Sequence, residues 1–147
     1  METALIIAII SIMIIGAAVA VAGAAASRGL EVEKIAVENG GAPIKVAHIS
    51  DLHYPQNGAS LEEIKKAVEE AAPDLIFLTG DIIDRHASRG EIENLSSFLA
   101  ELNSGGNVYA VLGNHEATNA HLEGYREVLR AANITLLENE YHALDIG

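Results

Sequence analysis

Cysteine is absent from the sequence. That excludes disulfides and thiolate metal sites and leaves the redox compartment open. Basic residues are scarce: 9 Lys and Arg stand against 21 Asp and Glu, a formal net charge of −12. A negative domain repels a nucleic-acid backbone, so no general DNA or RNA binding is expected. There is no internal repeat, and no low-complexity tract beyond an Ala-rich stretch near the amino terminus. The 147 residues leave room for one domain.

Charge is missing from one whole segment, residues 3–26. A helix of about 20 apolar residues spans a bilayer core, so 3–26 is expected to be a single-pass membrane anchor within an amino-terminal unit 1–29. A cleaved signal peptide is the competing reading, with Ala24, Ala25 and Ala26 as its small-residue site. Against it, no Lys or Arg precedes the run, which also exceeds the roughly 7–15 residues of a signal core. Arg28 and Lys34 follow the run and favour a cytoplasmic domain by the positive-inside rule. Glu31 and Glu33 dilute them, so both sides of the membrane stay open.

Residues 30–43 read as a linker or strand ending in the Gly40-Gly41 turn. Beyond it, at 44–147, the pattern becomes regular. Short apolar runs of strand length occur at 44–50, 75–79 and 108–112, with a further one at 134–137. Between them lie amphipathic helical stretches. Ser60 and Glu63 fit a capping box, and Leu61, Ile64 and Val68 follow at helical spacing until Pro73. Ile92, Leu95, Leu99 and Leu102 mark a second helix, stopped by Gly105-Gly106. Leu122, Tyr125, Leu129 and Ala132 mark a third. Strands alternating with helices predict an α/β fold of βαβαβα units around a largely parallel sheet. Sites in such sheets form at the carboxyl ends of the strands.

Three of those ends carry unusual residues: SDLH after the first strand, GDIIDR after the second, GNHE after the third. Asp51 and His53, two apart, face the same way on an extended chain. Asp81 adds a carboxylate and Asn114 an amide oxygen. Such oxygen and nitrogen donors without sulfur suit Mn, Fe or Zn. Gly80 and Gly113, just before two of the donors, allow a sharp turn close to an ion or phosphate. A single Asp or Asn at a strand end is usually a turn residue or cap. His48 reads as structural within its strand, His121 as a helix-surface residue and His142 as a strand residue. The combination of three motifs in order is a different matter.

Together, SDLH, GDIIDR and GNHE resemble the motifs of the calcineurin-like metallophosphoesterases, over roughly residues 44–147. The resemblance implies the first half of a four-layer αββα sandwich. It implies a hydrolase that cleaves a phosphate ester with a metal-bridging hydroxide at a binuclear centre. Asp51 and His53 would bind the first metal, Asp81 both metals and Asn114 the second. His115 would face the substrate and serve its leaving group, with Asp84 orienting it. Arg85 matches a phosphate-contacting arginine, and Glu116 takes a supporting role. Two divalent ions counter the negative phosphoryl oxygens and leave even this acidic domain locally positive.

The family also uses three further histidines, two of them in a G-H-x-H motif, and this sequence contains no such motif. The chain is therefore expected to be the amino-terminal part of a longer enzyme, inactive alone and binding at most one metal weakly. One sheet face and one strand edge would be left open. The alternative is a truncated, non-catalytic, membrane-anchored binding module. Substrates of the family include phosphomonoesters, phosphodiesters and pyrophosphates. An anchor points by location to a lipid-linked or cell-envelope phosphate.

Overall fold

A computed structural model of the chain describes residues 13–15, 30–37, 43–56 and 58–144. The expected membrane anchor lies outside them apart from 13–15, which are helical. Among the described residues no helix is long and apolar enough to cross a membrane.

Four strands form one parallel sheet in sequence order: β1 (Val46–Ile49), β2 (Leu75–Leu78), β3 (Val108–Ala110) and β4 (Thr135–Leu136). Crossovers of one hand between strands laid down in order place the connecting helices on a single face. On that face Ile76, Leu78, Val108 and Ala110 pack with Ile64, Leu99 and Leu129 from the helices in one buried cluster. The opposite face carries the register row His48, Phe77, Tyr109 and Thr135. Phe77 and Tyr109 meet edge to face there with centroids 6.1 Å apart, and Val46 and Val111 are exposed. His142 lies in irregular chain and not in the expected strand; its ring sits 5.4 Å from that of Tyr109.

Helix α1 (Leu61–Ala71) begins with the expected capping box: Ser60 Oγ accepts the Glu63 N–H (3.2 Å), and Glu63 accepts the Ser60 N–H (2.8 Å). It ends with Ala72 in the left-handed region, just before Pro73.

The second expected helix is two helices, α2 (Arg89–Asn94) and α3 (Ser96–Leu102), joined at Leu95. The apolar stripe hides the break, because Ile92, Leu95 and Leu99 are all fully buried across it. Ser96 Oγ donates back to the Glu93 carbonyl at 2.7 Å, a side-chain bond that competes with the helical ladder. A second capping box, Ser88 with Glu91, opens α2.

After β3 comes a short helix that the periodicity did not announce, α4 (Asn114–Thr118), and then α5 (Leu122–Ala131). Buried Asn103 joins three ends of the layer. Its amide donates to the Ala132 and Asn133 carbonyls, each at 2.8 Å, and its oxygen accepts the Val108 N–H.

Candidate metal centre

The parallel pairing of β1 and β2 continues past the strands. The N–H groups of Asp51, His53 and Tyr54 donate to the carbonyls of Gly80, Asp81 and Ile82, and Asp84 N–H returns to Tyr54. Two chain segments thus leave the sheet edge side by side, one carrying Asp51 and His53, the other Asp81, Asp84 and Arg85. Asp51, His53 and Asp81 all have positive φ, 54°, 47° and 52°. That region is uncommon for residues with a Cβ, and such strain collects where geometry serves function. Helix α4 brings His115 to the same edge from β3.

The side chains converge. His53 Nδ1 lies 3.2 Å from His115 Nδ1, with ring centroids 4.3 Å apart. On its other side His53 Nε2 lies 3.9 Å from Asp51 Oδ1. Asp81 Oδ1 accepts the His115 backbone N–H at 2.9 Å. Asp84 Oδ2 lies 3.3 Å from His115 Nδ1, and Arg85 Nη2 lies 2.8 Å from His115 Nε2. The His86 N–H on Asp84 Oδ1 holds the Asp84 carboxyl below its ordinary 3.8, against the opposing effect of burial and with help from the His115 and His86 rings.

Three of the expected metal or catalytic residues, His53, Asp81 and His115, present donor atoms all within 4.8 Å of one another. That grouping includes His115, expected to face substrate, and omits Asp51, which nonetheless flanks His53. Exposed Asn114 opens α4 at the same edge. The donor set fits a divalent ion: nitrogen and oxygen atoms, no sulfur, and a spacing that one ion can bridge. His48 stands apart, bonded to Thr79 Oγ1. His121 precedes α5 as its exposed N-cap.

Residues 44–145 match the calcineurin-like phosphoesterase family. The chain belongs to that family. It is 33% identical over 117 residues to an uncharacterized metallophosphoesterase of Aquifex aeolicus, covering 76% of this chain and 44% of that one. It is 37% identical over 75 residues to the UDP-2,3-diacylglucosamine pyrophosphatase LpxG of Chlamydia muridarum, covering 50% of this chain and 22% of that enzyme. A transmembrane protein with a metallophosphoesterase domain from Danio rerio is 32% identical over 102 residues, 67% of this chain and 22% of that protein. The chain spans less than half the length of these relatives.

Two residues of this phosphoesterase domain do more than their sequence context indicated. Buried Asn119 donates to the carbonyls of Asp84 (2.9 Å) and Ala87 (3.0 Å), closing the loop that carries Asp84 and Arg85. No pattern in the sequence marks it. Glu116 is fully buried and bonded to backbone N–H groups on two different turns. The GNHE motif gave it a supporting role by resemblance, and its place three residues after Gly113 is the spacing of a helix-capping glutamate.

Proposed function

We propose that the chain supplies the amino-terminal half of the active site of a two-metal phosphoester hydrolase, held at a membrane by residues 3–26. The convergence of Asp51, His53, Asp81, Asp84, Arg85 and His115 on one sheet edge carries this reading. Asp51 and His53 hold one ion, Asp81 serves both, and Asn114 serves the second. The metals are Mn, Fe or Zn. When bound, they supply positive charge against the phosphoryl oxygens and activate the attacking water.

The protein's own groups do the rest. Arg85 draws in a phosphate oxygen beside His115. Asp84, on the Nδ1 side of His115, fixes the orientation of the ring. In the structure Arg85 Nη2 faces Nε2; once Arg85 turns to the phosphate, Nε2 is free to deliver a proton to the leaving-group oxygen. The domain occupies 44–147, behind the anchor unit 1–29 and the linker 30–43. Its sheet is one half of a four-layer αββα sandwich whose second sheet covers the row His48, Phe77, Tyr109 and Thr135. Further histidines complete the centre, so the 147-residue chain alone is inactive and holds at most one ion. The pyrophosphatase relative supports a lipid-linked phosphate or pyrophosphate as substrate, and the transmembrane relative supports the membrane setting.

Phosphorus-31 NMR tests the site directly, with inorganic phosphate as probe and the full chain in detergent. Phosphate should bind the Mn-loaded chain, bind the metal-free chain far less, and lose affinity in Arg85→Ala and His115→Ala. Bis(p-nitrophenyl) phosphate should not be turned over. Phosphate binding that ignores Mn, or a chain that takes up no Mn, Fe or Zn, would sink the reading.

A further inference from the structure

We propose that Glu116 is the positioning residue of this site, a buried carboxylate that sets the distance between the turn bearing Asp81 and the helix bearing His115. Its Oε2 accepts the N–H groups of Asp81 and Gly113, both at 2.8 Å. Its Oε1 accepts those of Ile82 at 2.6 Å and Ile83 at 3.0 Å. A carboxylate has the acceptor capacity for all four bonds and no donor to oppose them. Burying it without partners would be costly, and here every partner is a backbone group of the site's own loops.

The geometric consequence falls on Asp81. Three successive N–H groups, of Asp81, Ile82 and Ile83, turn inward around one anion, and none is left for a strand ladder. Asp81 is held at φ 52° by that arrangement. Its side chain returns the connection, Oδ1 accepting the His115 N–H at 2.9 Å. One turn of α4 therefore grips Asp81 by its backbone through Glu116, and Asp81 grips α4 by its carboxylate. The two bonds run in opposite directions between the same pair of segments. They fix where the Asp81 oxygens lie relative to the His115 ring with no ion bound. Glu116 is 0% exposed and touches neither solvent nor substrate, so it acts only through the residues it holds. The assignment rests on the proposed function for what the site does, while the clamp itself belongs to the metal-free chain.

Amide hydrogen exchange by NMR on the full 147-residue chain in detergent decides the point. In the wild type the amides of Asp81, Ile82, Ile83 and Gly113 should be protected, and the His53 and His115 rings should show a mutual NOE. Glu116→Gln is isosteric, but its NH2 group faces two of the four donors. The two amides that face the NH2 group should exchange roughly 10- to 100-fold faster, as expected for losing bonds to a charged acceptor, and the other two should lose less protection. The ring NOE should vanish while the Leu99 and Leu129 amides keep their protection. If E116Q does not fold, Glu116→Asp decides, because it keeps the charge and shortens the reach by one methylene. The same four amides should then lose protection and Leu99 should not.

Wild-type amides that exchange like an open loop would overturn the proposal. So would a folded variant with wild-type exchange at all four, or with losses spread evenly over the core. A Mn titration of the same samples separates the two readings. Protected amides in a chain that takes up no Mn would end the metal-site reading and leave the clamp standing.

Discussion

Gly113 stands so close to Asp81 that a Cβ built on it would lie 2.2 Å from Asp81 Oδ1 and 2.5 Å from Asp81 N. Gly80 is as confined, its Cβ position 2.6 Å from Gly113 N. The two strand-end turns touch through backbone, which is why glycine stands just before Asp81 and just before Asn114. Gly113→Ala should cost about 1–3 kcal/mol as overpacking and should displace Asp81 as well. Gly90, inside α2, has open space around its Cβ position. Gly90→Ala should stabilise the domain by about 0.4–1 kcal/mol, mainly by restricting the unfolded chain. Urea midpoints of the two variants moving in opposite directions would bear this out; equal shifts would contradict it.

The sheet and the site were legible in the sequence to different depths. Strand positions followed from apolar runs bounded by turn residues, and the capping box at Ser60 could be read outright, because local chemistry fixes both. The break at Leu95 was invisible, since Ile92, Leu95 and Leu99 keep helical spacing on both sides of it. Asp51, His53, Asp81 and Asn114 could be chosen because three strand ends in order carry donor-type residues, while His115 entered only through the resemblance to the family. The left-handed backbone of Asp51, His53 and Asp81 and the clamp from Glu116 accompany contacts between turns about 30 residues apart. No local pattern encodes such contacts.

Asp81→Asn separates charge from shape. Asn keeps the Oδ1 that accepts the His115 N–H, so the fold should persist, but the anionic donor is gone. An ion that binds only the folded wild type stabilises it by about 2.7 kcal/mol at a hundredfold excess over Kd. Mn should therefore raise the wild-type melting temperature and EDTA should reverse the rise. Neither should move D81N or His53→Ala. A Mn-dependent rise in D81N equal to that of the wild type would place the ion elsewhere.

The two capping boxes predict an acid-sensitive part of the stability. Glu63 and Glu91 accept the Ser60 and Ser88 backbone N–H groups and, secondarily, their hydroxyls; both carboxyls are thereby held below the ordinary 4.5. A carboxyl whose folded pKa lies below its unfolded one adds stability that is complete above the unfolded value and disappears as pH falls through the folded one. Urea midpoints of the wild type should thus drop on acidification below 4.5, and those of a Glu63→Gln, Glu91→Gln double variant should drop less. At neutral pH, Ser60→Ala and Ser88→Ala should each cost about 1 kcal/mol. Parallel pH profiles for wild type and double variant would remove the capping boxes as the cause.

Tyr125 offers a prediction of sign. The side chain is 1% exposed, packed in the core from α5, and its hydroxyl finds no hydrogen-bond partner among the described residues. Burial raises its phenol pKa, and the nearby charge of Glu116 adds to the rise. An unmade bond at a buried hydroxyl costs about 1–3 kcal/mol, and removing the group at constant shape recovers part of that cost. Tyr125→Phe should therefore leave the domain as stable as the wild type or more so, which is unusual for a change at a fully buried position. It should also leave the four amides on Glu116 protected, since the ring still fills its place beside α4. Thermal melting of the two proteins is enough to decide. A loss of 1 kcal/mol or more on the scale of a buried hydrogen bond would mean that the hydroxyl is bonded in solution, with Glu116 or a trapped water as its partner.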